Sequence, residues 1–307
     1  MTGVGALDVG LRPLNWARLD EVETATPVIP SLLNEGEFGA LIGQAEAGKS
    51  LLALEIAVAL ALGTPVLGHA ASDRRRVMYV DMENPEAELA ERLRRMGYGV
   101  AELQDSHLFY FAFPDLAPLD TETGGKQVAV TANIYNPDII IFDTISRLVE
   151  GKEDSADTWQ NLWLHTMIPL RRQKRTVLRL DHQGHDSNKG ARGSSAKRDD
   201  VDVAWIMTRK GTDIMLKRNK GRGLSHPDTL QLRRHTNPTR HVPVVGGRLG
   251  DCIEALDLLG VHPAATRDEA AELLRKNGFK FGNDVIGKAQ NARRPSASKR
   301  TGTHQDE

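Results

Sequence analysis

The sequence lacks the features that mark secreted and membrane proteins. It contains a single cysteine, Cys252, which cannot form an internal disulfide, so we expect a protein of the reducing cytoplasm. No apolar run reaches the roughly 20 residues that a membrane-spanning helix requires. The first residues also lack a basic segment followed by an apolar stretch, so we expect neither a secretion signal nor contact with a membrane.

The chain also lacks an excess of charge of either sign. Its 40 Lys and Arg residues nearly balance 41 Asp and Glu residues, which leaves a formal net charge of −1. A protein whose whole surface binds nucleic acid is usually basic, so any such contact must be made by particular loops. The 307 residues, with a hydrophobic content of 40%, are sufficient for one large domain and a small additional module.

Apolar segments with the lengths of strands alternate with longer helical segments in the first two thirds of the chain. The predicted strands are residues 39–43, 76–81, 108–111, 139–142 and 176–180. The predicted helices are residues 49–62, 84–96, 124–135 and 155–173. This alternation is typical of a parallel β-sheet with helices on both faces. We therefore predict an α/β fold with a mostly parallel, twisted sheet.

Changes of composition along the chain predict four regions. Residues 1–35 are a lead-in with several prolines, in which Trp16 is the expected anchor. Residues 36–245 form the core of the protein. Shorter strands are predicted at its end, at residues 203–207, 214–218 and 229–233. Residues 251–293 form a small helical module, and residues 294–307 have the composition of a disordered tail.

A loop with two glycines joins the first predicted strand to the first predicted helix. Residues 43–50 read Gly-Gln-Ala-Glu-Ala-Gly-Lys-Ser, which fits the P-loop pattern G-x-x-x-x-G-K-[ST]. Backbone N–H groups of such a loop point at phosphates. Lys49 is expected to reach the β- and γ-phosphates, and Ser50 to bind Mg²⁺. We therefore predict that the chain binds and hydrolyses ATP with Mg²⁺. The predicted nucleotide-binding residues are Gly43, Gln44, Ala45, Glu46, Ala47, Gly48, Lys49, Ser50 and Leu51.

A carboxylate follows the most apolar of the predicted strands. Asp143 comes directly after residues 139–142, where P-loop ATPases place the Walker B aspartate that holds Mg²⁺ through water. The alternative is an aspartate that caps the next helix. Thr144, rather than a glutamate, follows Asp143, so the base that activates water must come from another segment.

Glu83 is the candidate for this base. It lies just beyond the end of the predicted strand 76–81, and a carboxylate there can orient or deprotonate a water molecule near the γ-phosphate. Asp81, two residues earlier, is the competing candidate, for which a structural role is favoured. The other interpretation of Glu83 is an acid at a helix start, where the helix dipole stabilises it.

These motifs together resemble the RecA-like branch of P-loop ATPases. Within it, residues 12–235 are most similar to the plasmid RepA-type hexameric helicase group of AAA-like ATPases. The similarity rests on residues 43–50, 79–85, 139–143, 179–184 and 189–197. It implies that Glu83 is the catalytic base and that His182 contacts the γ-phosphate and reports its loss to nucleic-acid loops. It also implies a ring of subunits with ATP between neighbours. Two other roles for His182 remain open, a metal site with His185 and a structural histidine.

A basic, glycine-containing stretch follows His182. It contains four cations and two hydroxyls within ten residues, and such groups bind a phosphate backbone. The predicted nucleic-acid-binding residues are Lys189, Arg192, Ser194, Ser195, Lys197 and Arg198. The stretch has no aromatic residue, so base stacking is not predicted there. The alternative interpretation is a solvated charged turn.

A second basic segment is expected between two late strands. In RecA-like rings, a pair of cations spaced as residues i and i+2 reaches the neighbour's γ-phosphate from this position. Arg218 and Lys220 match that spacing, and the resemblance implies that they act in trans. The alternative is the basic tip of a hairpin.

The last predicted module consists of three short helices. They are residues 252–259, 267–277 and 283–292. Thr266 followed by Glu269 forms a capping box at the start of the second helix. The arrangement resembles a helix-turn-helix or winged-helix unit, which could contact duplex DNA or a protein, or could pack as an appendage.

We therefore interpret the sequence as an ATP-dependent motor on single-stranded DNA, of the hexameric replicative helicase type, with a possible replication or recombination partner protein. One alternative is a RecA-like ATPase that promotes recombination or strand annealing without unwinding. Another is an ATP-dependent regulatory switch that binds a protein partner. The shared core does not distinguish these tasks.

Overall fold

The computed structural model of the chain describes residues 15–17, 26–70, 72–183, 200–221, 226–244 and 247–293. The predicted DNA-binding residues between Lys189 and Arg198 lie outside this part of the chain. Within it, the predicted alternation of strands and helices is present.

In the described part of the chain, nine strands form one sheet, and its parallel part contains the predicted core. In chain order the strands are β3 (Phe38–Gly43), β4 (Val77–Asp81), β5 (Leu108–Ala112), β6 (Ile139–Asp143), β7 (Thr176–His182), β8 (Val203–Lys210), β9 (Asp213–Gly221), β10 (Thr229–Thr236) and β11 (Thr239–Pro243). Their spatial order is β11-β10-β9-β8-β3-β7-β6-β4-β5. The six strands from β8 to β5 run parallel, and β9 to β11 add an antiparallel edge. The predicted α/β fold is therefore confirmed.

Helices cover both faces of the sheet. They are α1 (Lys49–Leu62), α2 (Glu86–Arg95), α3 (Val100–Gln104), α4 (Glu122–Tyr135), α5 (Ala156–Leu162) and α6 (Ile168–Arg172). A π-helical segment, Trp163–Met167, joins α5 to α6, so the long helix predicted at 155–173 exists with a change of winding in its middle.

The central strand β6 shows why the sheet separates two hydrophobic cores. Ile139 and Ile141 belong to the core that contains α1, whereas Ile140 and Phe142 belong to the core under α4 to α6. Successive side chains of a strand point to opposite faces. An uninterrupted apolar strand is therefore stable only where both faces are covered.

Helix α1 lies against the sheet with almost its whole circumference buried. Residues 52–61 are all buried, which agrees with a segment that is apolar on every face. Gly63 ends the helix with a φ of 68°, a left-handed conformation that favours glycine. Because α1 is packed against the sheet in this way, its first residue, Lys49, has a fixed position relative to the carboxyl ends of the strands.

Two sequence expectations are corrected at the edges of the core. Arg218 and Lys220 do not lie between two strands, because β9 continues to Gly221 and includes both residues. Trp16 does not anchor the lead-in, since 76% of its surface is exposed. The lead-in contributes instead through the hairpin of β1 (Pro27–Ile29) and β2 (Leu33–Asn34), whose Leu33 is buried against the core.

The three helices expected at 251–293 are present as α7 (Gly247–Leu258), α8 (Arg267–Lys276) and α9 (Asn283–Arg293). They enclose a small core of their own around Cys252, Leu256, Leu274 and Ile286. Thr266 and Glu269 form the predicted capping box at the start of α8. No helix in the described part of the chain is long and apolar enough to cross a membrane.

A buried ion pair closes this helical module. Arg293 donates from Nε to Asp257 over 2.6 Å, and the arginine side chain is only 2% exposed. Burial raises the pKa of Asp257, and the charge of Arg293 opposes that increase. The pair therefore depends on both partners, because either charge alone would be desolvated without compensation.

Arg293→Met should open the module, because it leaves Asp257 buried without its partner at a cost of about 3–5 kcal/mol. Cys252, fully buried there, reports the opening through its reaction with a thiol reagent under native conditions. We expect the reaction to accelerate by roughly 100-fold or more. Arg267→Met, in an exposed ion pair with Asp268, is the control and should change the rate little. Equal rates for both variants would contradict this account.

Candidate nucleotide-binding site

The loop between β3 and α1 has the conformation expected of a phosphate cradle. Gly43 ends β3, and a Cβ atom there would lie only 2.8 Å from the Met207 carbonyl oxygen. Gly48 has a φ of 96°, in the left-handed region that favours glycine. The two glycines of the motif are therefore required by a close approach of the backbone and by a left-handed turn, respectively.

Lys49 is held at the mouth of this loop. Its Nζ atom donates to the carbonyl oxygens of Gly43 and Gln44, each over 3.0 Å, and the residue is only 5% exposed. Lys49 is also the first residue of α1, whose amino terminus carries partial positive charge. The positive charge and the N–H groups of the loop thus face the same space, which suits a polyphosphate.

Ser50 and Asp143 form an oxygen-rich corner beside the loop. Ser50 Oγ donates to Asp143 Oδ1 over 3.0 Å, and Tyr79 OH donates to Asp143 Oδ2 over 2.7 Å. Burial raises the pKa of Asp143 to about 6, with further contributions from the charges of Asp81 and Glu83. A hydroxyl and a carboxylate at this spacing fit Mg²⁺, which prefers oxygen ligands and takes the remainder from water and phosphate.

The described residues contain no cluster of three or more His, Cys, Asp or Glu side chains that could hold a metal by themselves. A magnesium ion at Ser50 and Asp143 would therefore need substrate oxygens to complete its coordination, as is usual for nucleotide-bound magnesium. The alternative metal site at His182 and His185 is not described, because His185 lies outside the described residues.

Asp81 is occupied by the turn that positions Glu83. Its carboxylate accepts hydrogen bonds from the backbone N–H groups of Glu83 and Asn84, over 2.8 and 2.9 Å, and from the Tyr110 hydroxyl. It is fully buried. A carboxylate engaged in this way orients the chain after β4 and has no lone pair directed at solvent, which favours the structural role expected for it.

The His182 side chain lies between the P-loop lysine and Glu83. His182 Nδ1 lies 3.4 Å from Lys49 Nζ, and His182 Nε2 lies 4.0 Å from Glu83 Oε1. Thr144 Oγ1 donates to Glu83 Oε2 over 3.4 Å. The glutamate and histidine side chains remain about one third exposed, at 30% and 33%. Residues from four segments thus meet at the carboxyl edge of the sheet.

Arg218 and Lys220 lie away from this site. The strand register aligns Arg218 with Trp205 and Leu41, and Lys220 with Ala204 and Ala40. Leu41 and Ala40 precede Gly43 in β3 by two and three residues, which is about 7 and 10 Å along the strand. Arg218 and Lys220 therefore lie that far from the end of β3 at which the P-loop begins. Arg218 pairs with Asp228 of its own chain over 2.5 Å. These two cations therefore do not face the chain's own P-loop.

Two aromatic residues of the site were not singled out from the sequence. Tyr79 binds Asp143 and stacks on Tyr110, with ring centroids 4.9 Å apart, and Tyr110 in turn binds Asp81. The period of two within β4 places Tyr79 and Asp81 on the same face, which was a usable signal. The pairing of β4 with β5 was needed to bring in Tyr110.

The pKa of Asp143 makes a testable contribution to stability. Because this pKa is about 6 in the folded protein against an ordinary value of 3.8, the folded state holds its proton more tightly. The free energy of unfolding should therefore decrease as pH rises through about 4 to 6, by roughly 3 kcal/mol in total. Asp143→Asn should remove this component in metal-free protein, as measured by urea unfolding at several pH values.

The exposed carboxylate of Asp73 provides the control for this measurement, and Asp73→Asn should preserve the pH dependence. A difference in stability between wild type and Asp143→Asn that is the same at pH 4 and pH 7 would show that the buried carboxylate titrates normally.

Comparisons with known proteins agree with this geometry. A search of curated proteins finds no match to this chain. Among solved structures, one ATPase domain superposes with a TM-score of 0.55 at 12% identity, covering 74% of this chain and 95% of that one. Flagellar accessory protein FlaH from Methanocaldococcus jannaschii superposes with a TM-score of 0.50 at 16% identity, covering 70% and 92%. At these identities the similarity shows a common RecA-like fold.

The family described as AAA domain matches residues 10–188, which is more than half of the chain and includes the P-loop, Glu83, Asp143 and His182. The chain therefore belongs to this AAA domain family, as a RecA-like P-loop ATPase.

Proposed function

We propose that this ATPase is a motor that acts on single-stranded DNA as an oligomeric ring, of the hexameric replicative helicase type. The observation that supports it most is the position of His182. This residue lies within 4.0 Å of both the P-loop lysine and Glu83, and it ends the strand that leads into the basic stretch between Lys189 and Arg198. A residue at this junction can link the state of the nucleotide to a loop that binds phosphates.

The chain's own residues divide the chemistry of hydrolysis between them. Lys49 and the N–H groups of the loop hold the β- and γ-phosphates. Ser50 and Asp143 would hold Mg²⁺, which would supply positive charge to neutralise the phosphates. Glu83, partly exposed and 4.0 Å from His182, orients and deprotonates the attacking water. His182 contacts the γ-phosphate, so hydrolysis removes one of its partners.

Nucleic acid is assigned to the segment after His182. The predicted residues are Lys189, Arg192, Ser194, Ser195, Lys197 and Arg198. Arginine, lysine and serine side chains bind phosphate oxygens without regard to base sequence. A loop of this composition suits translocation along a strand, because a motor must bind many sequences equally.

The proposal that Arg218 and Lys220 contact the nucleotide of a neighbouring subunit is supported by their distance from the carboxyl edge of the sheet. Both lie below the chain's own P-loop, and Arg218 is 20% exposed and held by Asp228, itself 89% exposed. A nucleotide on an adjacent subunit could compete with Asp228 for the guanidinium. Cations supplied in trans increase phosphoryl-transfer rates by about 10³–10⁵ in the best-studied cases.

Steady-state ATP hydrolysis at low salt, with and without single-stranded DNA, tests the motor and the base together. We expect single-stranded DNA to stimulate hydrolysis strongly, because the basic stretch follows His182 along the chain. Glu83→Gln should reduce the DNA-stimulated rate by at least 100-fold, since the amide cannot accept a proton. Glu86→Gln changes an exposed acid at the start of α2, three residues after Glu83; it is the matched control and should retain the rate.

The same assay separates the proposal from its alternatives. Hydrolysis that DNA leaves unchanged would favour the regulatory switch that binds a protein partner. If DNA stimulates hydrolysis, strand displacement on a forked duplex distinguishes the motor from a recombination or annealing ATPase, which would pair strands without displacing one.

Mixing two inactive variants tests whether Arg218 acts in trans. Lys49→Ala removes the phosphate contact and Arg218→Ala the proposed finger, so each variant alone should lose activity, the latter by about 10³. Mixed oligomers contain some interfaces with an intact Lys49 on one side and an intact Arg218 on the other, so mixing should restore part of the activity. Asp228→Ala keeps the guanidinium and should stay active. No recovery on mixing would contradict an action in trans.

A further inference from the structure

The guanidinium of Arg234 lies over the P-loop. A Cβ atom placed on Gly48 would be 3.6 Å from Nη1 of Arg234, which is supplied by β10 of the same chain. Arg234 Nε is buried and has no hydrogen-bond partner. In the part of the chain that the structure describes, the side chain forms no ion pair. Its neighbour Arg233, in contrast, pairs with Asp213 and Glu254.

A buried contact holds the hairpin of β10 and β11 in this position. Arg234 is the direct cross-strand partner of His241 in β11. Glu55 of the P-loop helix α1 accepts from the His241 backbone N–H over 3.0 Å and contacts its ring Nδ1 over 2.5 Å. Directly opposed residues of antiparallel strands share a face of the sheet. The anchor at His241 therefore sets the position of Arg234 relative to the loop.

A second cation, Arg209, makes the binding of an anion beside Arg234 more favourable. Arg209 lies on β8, two residues beyond Met207, which is aligned with Gly43. Burial lowers the pKa of Arg234, and the positive charge of Arg209 lowers it further. Among the described residues, Arg234 is partly buried, faces another cation and forms no ion pair with a carboxylate, which is unfavourable in the absence of a ligand. Such an arrangement is typical of a site whose counter-charge is a ligand.

The position of Arg234 and Arg209 in the sheet indicates which part of a bound nucleotide they contact. Glu83 and His182 lie on the β7 side of the P-loop, and Arg234 and Met207 approach from the β8 side. A nucleotide whose terminal phosphate faces Glu83 directs its α-phosphate and nucleoside away from that side. The arginine on the opposite side is then close to the α-phosphate.

We propose that Arg234, presented in cis by the β10–β11 hairpin, binds the α-phosphate of the nucleotide and sets its affinity, separately from the residues that cleave the γ-phosphate. This inference rests on the nucleotide site proposed above. ADP and ATP carry the same α-phosphate, so the contact serves both. A residue directed at the γ-phosphate would distinguish between them.

Calorimetric titration with ADP and Mg²⁺ tests this role without any turnover. Arg234→Ala should weaken ADP binding by about 10- to 100-fold, the range for a charged hydrogen bond of about 1.5–3 kcal/mol. ATP, measured on the Glu83→Gln background, should lose affinity by the same factor. Arg234→Lys keeps the charge and should restore most of the loss. Arg233→Ala, on the same strand with its cation already paired, should bind ADP as wild type does.

A stability measurement separates this role from a structural one. Without nucleotide, Arg234→Ala should melt at the wild-type temperature or above it, because it removes a partly buried cation that forms no ion pair within the described part of the chain. Three results would overturn the proposal: ADP affinity of Arg234→Ala within about twofold of wild type, a loss confined to ATP, or a loss of fold that accounts for the weaker binding. Failure of the wild-type protein to bind ADP would instead refute the nucleotide site itself.

Discussion

Backbone hydrogen bonds between parallel strands set the level at which β3, β7, β6 and β4 end. The register pairs Gly43 with His182, and Asp81 with Asp143. The P-loop, the magnesium corner and the turn that carries Glu83 therefore share one edge of the sheet. A shift of one residue would turn each side chain to the opposite face. The two hydrophobic cores prevent such a shift, because every strand here is buried on both sides.

Within the described part of the chain, the proposed site combines two charged groups that have no ion-pair partner. Asp143 is buried with its pKa raised to about 6, and Arg234 lies partly buried beside a second cation. Each group is unfavourable in the protein without ligand, and each would gain a partner of opposite charge when magnesium and nucleotide bind. The arrangement thus couples binding to stability, since a ligand that neutralises both groups stabilises the folded state. Functional sites often retain such costs where the rest of the structure is consistent.

Long-range contacts explain why sequence analysis could place some residues at the carboxyl edge of the sheet and not others. Gly43, Lys49 and Ser50 lie within one motif, and Asp143 and Glu83 each follow an apolar strand, so local pattern was enough to locate them. Strand β11 and the extension of β9 beyond Arg218 to Gly221 were not expected. Antiparallel strands at the edge of a sheet are held by pairing with distant segments, and their own apolar signal is weak.

The order of apolar and helical segments specified an α/β sheet, and the P-loop pattern specified phosphate binding, because both depend on residues that are close along the chain. The contact between Glu55 and His241 joins residues 186 positions apart, and it brings Arg234 to Gly48. The contacts of His182 with Lys49 and Glu83 likewise depend on the order in which β3, β7 and β4 lie in the sheet. Such encounters have no local signal, since burial and strand register, rather than propensity, bring these groups within a few ångströms of one another.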